Sequence, residues 1–188
     1  ALWFTNVNLL NNAKHHYEMI RNVNPKIDLI ATTDIEMTSS VEYADIAFQS
    51  ILEGEPVENV QRRFAELRRI GREDFNRSFE IWTGVWVICR PTQKEAEEYR
   101  DYVLEEHGDI AMLDGLPPEL VPKDLPPEEL RKARHKALGG FGGIHLVGSP
   151  DYVVDKLKHI SDAGADGTVV NWVNYEEGLR TWTDAIAP

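Results

Sequence analysis

Residues 143–177 have the pattern of one complete helix–strand unit, and this unit constrains the fold more than any other stretch of the chain. Ser149 is a natural N-cap residue, and Pro150 stands at the first helical position, where its missing N–H breaks no hydrogen bond. The apolar residues that follow recur at helical spacing: Val153, Val154, Leu157 and Ile160. Gly164 then ends the helix, and residues 167–173 are nearly all apolar. Such a run predicts a strand covered on both faces, which is typical of parallel sheets.

The same alternation of strands and helices occurs earlier in the chain. The pattern predicts strands at 27–31, 45–48 and 79–89, and helices at 36–43, 57–70 and 92–106. Gly71 is predicted to close the second of these helices, and Thr92 to N-cap the third, with Glu95 completing a capping box. Strands that alternate with helices favour a parallel α/β sheet. We therefore expect four βα units whose strands are parallel and adjacent in chain order.

Two segments lie outside this pattern. Residues 1–26 are an Asn-rich lead-in segment, in which 15–20 are interpreted as a short strand or turn. Residues 107–142 interrupt the βα units with a Pro-rich, charged insertion. A long excursion of this kind is usually functional or mobile, so we expect it to be less ordered than the βα units. A surface helical hairpin is the alternative interpretation. The whole chain, 1–188, is interpreted as a single domain.

Three stretches carry a resemblance to a known family. They are LVGSPDYVVDKLKHISDAGADGTVVNWVNYEEGL, IDLIATTDIEMTSSVEYADIAF and WTGVWVICRPTQKEAEEY. The first resembles the last βα unit of the bacterial-luciferase-like, flavin-dependent monooxygenases, and the other two resemble earlier strands and helices of that family in the same order. The resemblance covers roughly residues 26–188.

The resemblance implies a (βα)8 TIM-type barrel, which needs about 250 residues. This chain has 188, and its four predicted units match the last four of the barrel. We interpret the chain as the C-terminal half of such a barrel, and we expect it to be a fragment of a longer protein. The alternatives are that the missing N-terminal half comes from another chain, or that the fold has been reduced. A half-barrel has exposed sheet edges, which favour association. The resemblance also implies a homodimer, because members of the family commonly dimerise.

The resemblance also implies a function. A separate flavin reductase would supply reduced FMN, and the barrel would use it with O2 to oxidise a small apolar organic substrate. One branch of the family uses a deazaflavin and transfers hydride instead, so a deazaflavin is the alternative cofactor. The alternative to an enzyme is a non-catalytic protein with a reduced version of the same fold, which binds flavin or another protein.

Ligands of βα barrels bind at the carboxyl ends of the strands. Thr32 and Thr33 are predicted there, in a polar loop, and hydroxyls at a strand-to-helix turn can hold a phosphate. The family has Gly where this chain has Thr32, and Asp34 follows, whose carboxylate would repel a phosphate. Barrel phosphate sites also often follow the last two strands. Here that rule selects Arg90 to Thr92 and Asn174, among which Arg90 is the only cation.

Trp86, Asn171 and Trp172 are the other candidate cofactor contacts. Trp86 shares one strand face with Trp82, Gly84 and Ile88, and a tryptophan near the mouth suits a flavin ring or an apolar substrate. Packing of both tryptophans under helices is the alternative. A buried Asn171 needs hydrogen-bond partners, which the barrel mouth would supply.

Composition limits the function classes. The formal net charge of −12 argues against nucleic acid or an anionic membrane as a partner. A lone cysteine, Cys89, forms no intrachain disulfide and is interpreted as a small buried hydrophobe, which favours a reducing cytoplasm. The six histidines show no metal-ligand spacing, and no catalytic residue is assigned. No signal peptide or membrane span is predicted.

Overall fold

The computed structural model describes residues 2–5, 21–22, 24–28, 30–33, 45–51, 55–116, 124–139 and 143–187. The chain divides into two compact units. The first comprises Ala1–Gly84 and His159–Val169, and the second comprises Val85–Lys158 and Val170–Pro188. No helix within the described ranges is long and apolar enough to cross a membrane.

The first unit contains a parallel sheet. Strands β1 (Leu2–Thr5), β2 (Ile30–Thr33) and β3 (Ile46–Phe48) pair in chain order, and β3 pairs with the start of β4 (Glu80–Cys89). The start of β6 (Gly167–Trp172) also pairs with β4. At this point the Asp166 N–H donates to the Ile81 carbonyl at 2.8 Å, and the Asp166 carboxylate accepts from the Ile81 N–H at 2.8 Å.

Helix α1 (Val57–Phe75) covers this sheet. Its apolar side buries Val60 and Phe64, which form one core cluster with Ile81 and Ala163. The predicted end at Gly71 is wrong, because the helix continues to Phe75 and ends at Asn76 in the left-handed conformation, with φ of 51°. Gly71 is buried inside the helix, and this position favours glycine because a Cβ there would lie 2.6 Å from the Phe79 ring.

The second unit pairs the end of β4 with β5 (Ile144–Gly148), again in parallel. Helix α2 (Gln93–Asp101) packs against β5 and continues as a π-helical turn, Tyr102–Glu106. Two helices follow, α3 (Ile110–Asp114) and α4 (Pro127–Leu138). The last helix is α6 (Tyr175–Thr181), which also continues as a π-helical turn, Trp182–Ile186. Helix α5 (Pro150–Asp162) and strand β6 each begin in one unit and end in the other.

The predicted fold class is confirmed: the chain is an α/β protein whose strands β1 to β5 pair in parallel and alternate with helices. The capping signals are also confirmed, because Thr92 and Glu95 form the reciprocal capping box and Ser149 Oγ accepts from the Tyr152 N–H. Gly164, with φ of +99°, follows α5 as predicted.

Three features differ from the predictions. The first is that Thr32 and Thr33 belong to strand β2 and not to a loop, because both are paired in the sheet register and β-branched residues fit a pleated strand. The second is that two strands, β1 and β5, were not predicted. The third is that β6 is only partly buried, not covered on both faces. The predicted helix 36–43 and the predicted segment 15–20 lie outside the described residues.

Candidate functional site

A cleft in the second unit lies where β4 ends and where the chain leaves β6. Its empty volume, including the part open to solvent, is about 320 Å³. Three parts of the chain line it: the end of β4, the Tyr99 ring of α2, and the segment from Trp172 through α6 to Ile186. The polar or aromatic lining residues are Arg90, Tyr99, Trp172, Asn174 and Glu177. The cleft therefore brings together Arg90 and Trp172, two predicted site residues that are distant in sequence.

Arg90 is the cation of this cleft. Its backbone N–H donates to the Gly148 carbonyl of β5 at 3.1 Å, which fixes the chain as it leaves β4. Its guanidinium carbon lies 3.8 Å from the centre of the Tyr99 ring, within cation–π range. Nη1 donates to the Cys89 carbonyl at 3.0 Å and lies 3.2 Å from a carboxylate oxygen of Glu177. The side chain is only 20% exposed, so this charge is held in one position.

Trp172 forms the aromatic wall of the cleft. Its ring makes edge contacts with Tyr175, at 5.6 Å between centroids, and with Trp182, at 6.0 Å. Gly178 lies so close that a Cβ there would overlap the Trp172 side chain. The ring is therefore held between one turn of α6 and two aromatic neighbours, with its remaining surface on the cleft.

The two asparagines of this region have different roles. Asn174 N-caps α6, because its Oδ1 accepts from the Glu176 and Glu177 N–H groups at 3.1 and 3.3 Å. This geometry matches the interpretation that Asn174 starts the turn, although the residue also lines the cleft. Asn171 is exposed and accepts from the Tyr175 hydroxyl at 3.3 Å, and it does not line the cleft.

Trp86 lies in the core of the second unit. It is 6% exposed and packs with Ile88, Ala96 and Leu104 in one buried cluster. Its ring lies 5.0 Å from that of His145. This placement favours packing under helices over contact with a flavin, and Trp86 does not line the cleft.

Thr32 and Thr33 lie at the carboxyl end of β2 in the first unit. Their side chains fall outside the described part of the chain, as does Asp34, so phosphate binding there stays a prediction.

Cys89 is buried beside the cleft, and this burial raises the pKa of its thiol, although the nearby Arg90 charge opposes the shift. A raised pKa leaves little thiolate at neutral pH, so a nucleophilic role is disfavoured. The residue behaves as the small buried hydrophobe that the sequence predicted.

Sequence reasoning missed two residues that shape the cleft, Tyr99 and Glu177. The acidic turn after the last strand was visible as Glu176 and Glu177, but nothing in the pattern pairs Glu177 with a cation 87 positions earlier. Tyr99 was visible only as an aromatic residue in a Glu-rich helix. Both are recognised from tertiary neighbours alone.

Asp101, Glu105 and His135 also come close together, with their ligand atoms within 4.8 Å of one another. The Arg131 guanidinium already occupies this cluster, donating to Asp101 at 2.9 Å and to Glu105 at 2.5 Å. The pKa of Asp101 is lowered: burial raises it, but Arg100 and Arg131 together outweigh burial. Since the negative charge is matched by arginine, the cluster is an ion-pair network and not a vacant cation site.

Comparison with known proteins supports the fold. No protein-family model and no curated protein sequence matches this chain. Three crystal structures are similar to it: riboflavin lyase (RcaE) with modified FMN and riboflavin, the long-chain alkane monooxygenase LadA, and DmoA from Hyphomicrobium sulfonivorans. Their TM-scores are 0.57, 0.57 and 0.58, at 13%, 17% and 18% identity.

These alignments cover 85%, 84% and 84% of this chain, and 42%, 39% and 40% of the three solved chains. The chain thus spans about two fifths of the length of the structures that it matches. It has the parallel α/β fold found in part of these three chains, and the predicted resemblance is confirmed as a likeness of fold.

Proposed function

We propose that the protein containing this chain is a flavin-dependent monooxygenase, which uses reduced FMN and O2 to oxidise a small apolar organic substrate. The fold supports an oxidoreductase of this kind, since RcaE was solved with a modified FMN and LadA is a monooxygenase. A flavin reductase is the proposed supplier of reduced FMN, and a homodimer is the proposed assembly.

The observation that carries the proposal is the position of Arg90. It lies at the carboxyl end of β4, where ligands of βα barrels bind, and the Trp172 ring stands in the same cleft. A guanidinium presents five N–H donors in a planar fork that suits a phosphate. The bonds to the Cys89 carbonyl and to Glu177 use only Nη1 and Nη2, so donor capacity remains.

Glu177 competes with a phosphate for the Arg90 guanidinium. A carboxylate beside a bound phosphate repels it, and two unit charges roughly 4 Å apart repel each other by about 1 kcal/mol in bulk water and by more near a protein surface. Because 48% of the Glu177 side chain is exposed, it can turn towards water when an anion takes its place at Arg90. The donor chemistry therefore fits an FMN phosphate, with Glu177 as its competitor.

The roles of the chain's own residues follow. Arg90 would hold the phosphate, and Tyr99 would keep the guanidinium in place by stacking beneath it. Trp172 would cover an apolar face of the ligand and exclude water from it. When bound, FMN supplies the redox chemistry, which is the cofactor's own. A deazaflavin has the same need for an anchored anion and stays the alternative cofactor.

Titration of FMN into the full-length protein that contains this chain tests the proposal, with flavin fluorescence as the readout. We expect Arg90→Ala to weaken binding about ten- to hundredfold, since a hydrogen bond to a charged group contributes about 1.5–3 kcal/mol. Glu177→Gln should tighten binding about fivefold, because about 1 kcal/mol of repulsion is removed. Arg180→Ala is the matched control, because Arg180 is 75% exposed, pairs with Glu176 on the same helix and does not line the cleft.

Thr33→Ala separates the two predicted phosphate sites. If Thr33→Ala weakens FMN binding and Arg90→Ala does not, the phosphate lies at the end of β2 and the assignment to Arg90 is wrong. If the unmodified protein binds neither FMN nor a deazaflavin, the flavin proposal is wrong. The runner-up, a flavin-binding protein without catalysis, is favoured if FMN binds but reduced FMN is oxidised by O2 at the same rate with and without the protein.

A further inference from the structure

A second concave site in the second unit shares no residue with the Arg90 cleft. We call it the α2–α4 groove, and it lies between the π-helical turn after α2 and helix α4. Its empty volume, including the part open to solvent, is about 910 Å³. Its lining residues are Leu104, Glu105, Ile110, Pro127, Leu130, Arg131, Arg134, His135 and Leu138.

The floor of the groove is apolar. Leu104 is 3% exposed, and Leu138 packs against the same buried cluster. Ile110, in contrast, is 40% exposed at one side of the groove. Gly108 lies close to both leucines, since a Cβ there would overlap the Leu104 carbonyl and would lie 2.8 Å from Leu138 Cδ1. This surface offers an apolar ligand a place to exclude water.

Among the residues that the structure describes, the rim of the groove carries one charge without a counter-charge. Glu105 accepts from Arg131 at 2.5 Å and lies 2.9 Å from His135 Nε2. Arg131 also pairs with Asp101, so these groups satisfy one another. Arg134 is exposed and makes no ion pair or hydrogen bond with any residue that the structure describes. The groove thus combines an apolar floor with an uncompensated guanidinium.

We propose that the α2–α4 groove binds an aliphatic monocarboxylate as a free molecule. The carboxylate pairs with Arg134, and the alkyl chain lies along Leu104, Leu130 and Leu138. A neutral alcohol of the same length lacks the anion that Arg134 requires, and a short carboxylate lacks the chain that the leucines cover. Charge and chain length are therefore both needed.

Isothermal titration calorimetry with hexanoate, octanoate and decanoate tests this site. Each added methylene contributes about 0.8 kcal/mol when buried, which corresponds to about a fourfold gain in affinity. We expect affinity to rise about fifteenfold from octanoate to decanoate, and 1-decanol to bind at least tenfold more weakly than decanoate. The comparison of ligands needs no variant, so it holds even where a substitution disturbs the fold.

Substitutions then assign the contact. Arg134→Ala should weaken decanoate binding about tenfold or more, and Arg134→Lys should retain most of it. Lys136→Ala is the matched control, because Lys136 is exposed on the same helix and does not line the groove. An unchanged thermal unfolding midpoint for Arg134→Ala would show that the loss is local.

Three results would overturn the proposal. One is that decanoate does not bind, or that decanol binds as tightly. Another is that Arg134→Ala and Lys136→Ala have equal effects. The third is that decanoate fails to bind while Leu130→Glu dissociates an oligomer seen by sedimentation, which would make the groove a contact between two copies of the chain.

Discussion

Replacing Gly178 with alanine tests how α6 holds Trp172 at the cleft. In a helix interior, alanine is more favourable than glycine by about 0.8–1 kcal/mol. At this position, however, a Cβ would overlap Cγ and Cδ1 of Trp172 and would lie 2.8 Å from its Cβ. Real Cβ contacts essentially never fall below 3.0 Å, so the tryptophan or the helix must move.

The magnitude follows from these two effects. Overpacking of a well-packed site costs about 1–3 kcal/mol. We expect a value near the upper end, because Trp172 has little room: Tyr175 and Trp182 contact its ring at 5.6 and 6.0 Å. After the helix-propensity gain of about 1 kcal/mol, the Gly178→Ala variant should be less stable by about 2 kcal/mol.

Urea unfolding followed by far-UV circular dichroism measures this difference, since the midpoint should fall while the slope stays constant. The double variant with Trp172→Gly is the control, because it removes Cβ, Cγ and Cδ1, the three atoms that the new Cβ would meet. In that background Gly178→Ala should raise the free energy of unfolding by about 0.5–1 kcal/mol, which gives an interaction energy near 3 kcal/mol. Equal effects of Gly178→Ala in both backgrounds, or a stabilised single variant, would refute the reasoning.

Three further predictions concern the core, the pH dependence and the thiol. Phe64→Ala should reduce the free energy of unfolding by about 3–5 kcal/mol in urea melts, because the ring is fully buried in the first unit; a loss below about 1 kcal/mol would contradict the core assignment. The pKa of Asp101 is lowered: burial raises it, but the charges and hydrogen bonds of Arg100 and Arg131 outweigh burial. The pKa of Glu105 is also lowered, mainly by its hydrogen bond to Arg131. A carboxyl group whose pKa is lower in the folded state stabilises the fold above its unfolded pKa, and this stability is lost as the pH falls through the folded pKa. The free energy of unfolding should therefore decline below about pH 4. Arg131→Met should flatten that decline in thermal melts recorded from about pH 2 to about pH 6. Cys89 should react with a thiol reagent at pH 8 far more slowly than after unfolding in urea, and equal rates would contradict the raised pKa.

Much of the fold was predictable from local patterns. The capping box of Thr92 and Glu95 and the Ser149–Pro150 start of α5 depend on residues within four positions of one another, so the sequence reveals them directly. Apolar runs located β3, β4 and β6 to within a residue or two. Strand β5 was missed because Ile144–Gly148 follows a glycine-rich stretch, and only its pairing with β4 makes it a strand.

The candidate site depended more on tertiary contacts. Alternation along the chain offered Trp86 and Trp172 equally as cleft residues. The structure separates them because Ala96 and Leu104 bury Trp86, whereas Trp172 is held at the surface of the cleft by Gly178. The position of Arg90 after a strand was visible in the sequence, but its stacking on Tyr99 was not.

The sequence by itself indicated helices α1, α2 and α5 and strands β3, β4 and β6, where several of them begin and end, and a parallel sheet. Only the tertiary structure decided which side chains meet. Glu177 neutralises Arg90 across 87 positions, and Phe79 requires a glycine at position 71 inside a continuous helix. The physical reason is that capping and periodicity act within a few residues. Burial, ion pairing and close packing depend on neighbours that the chain brings together only when it folds.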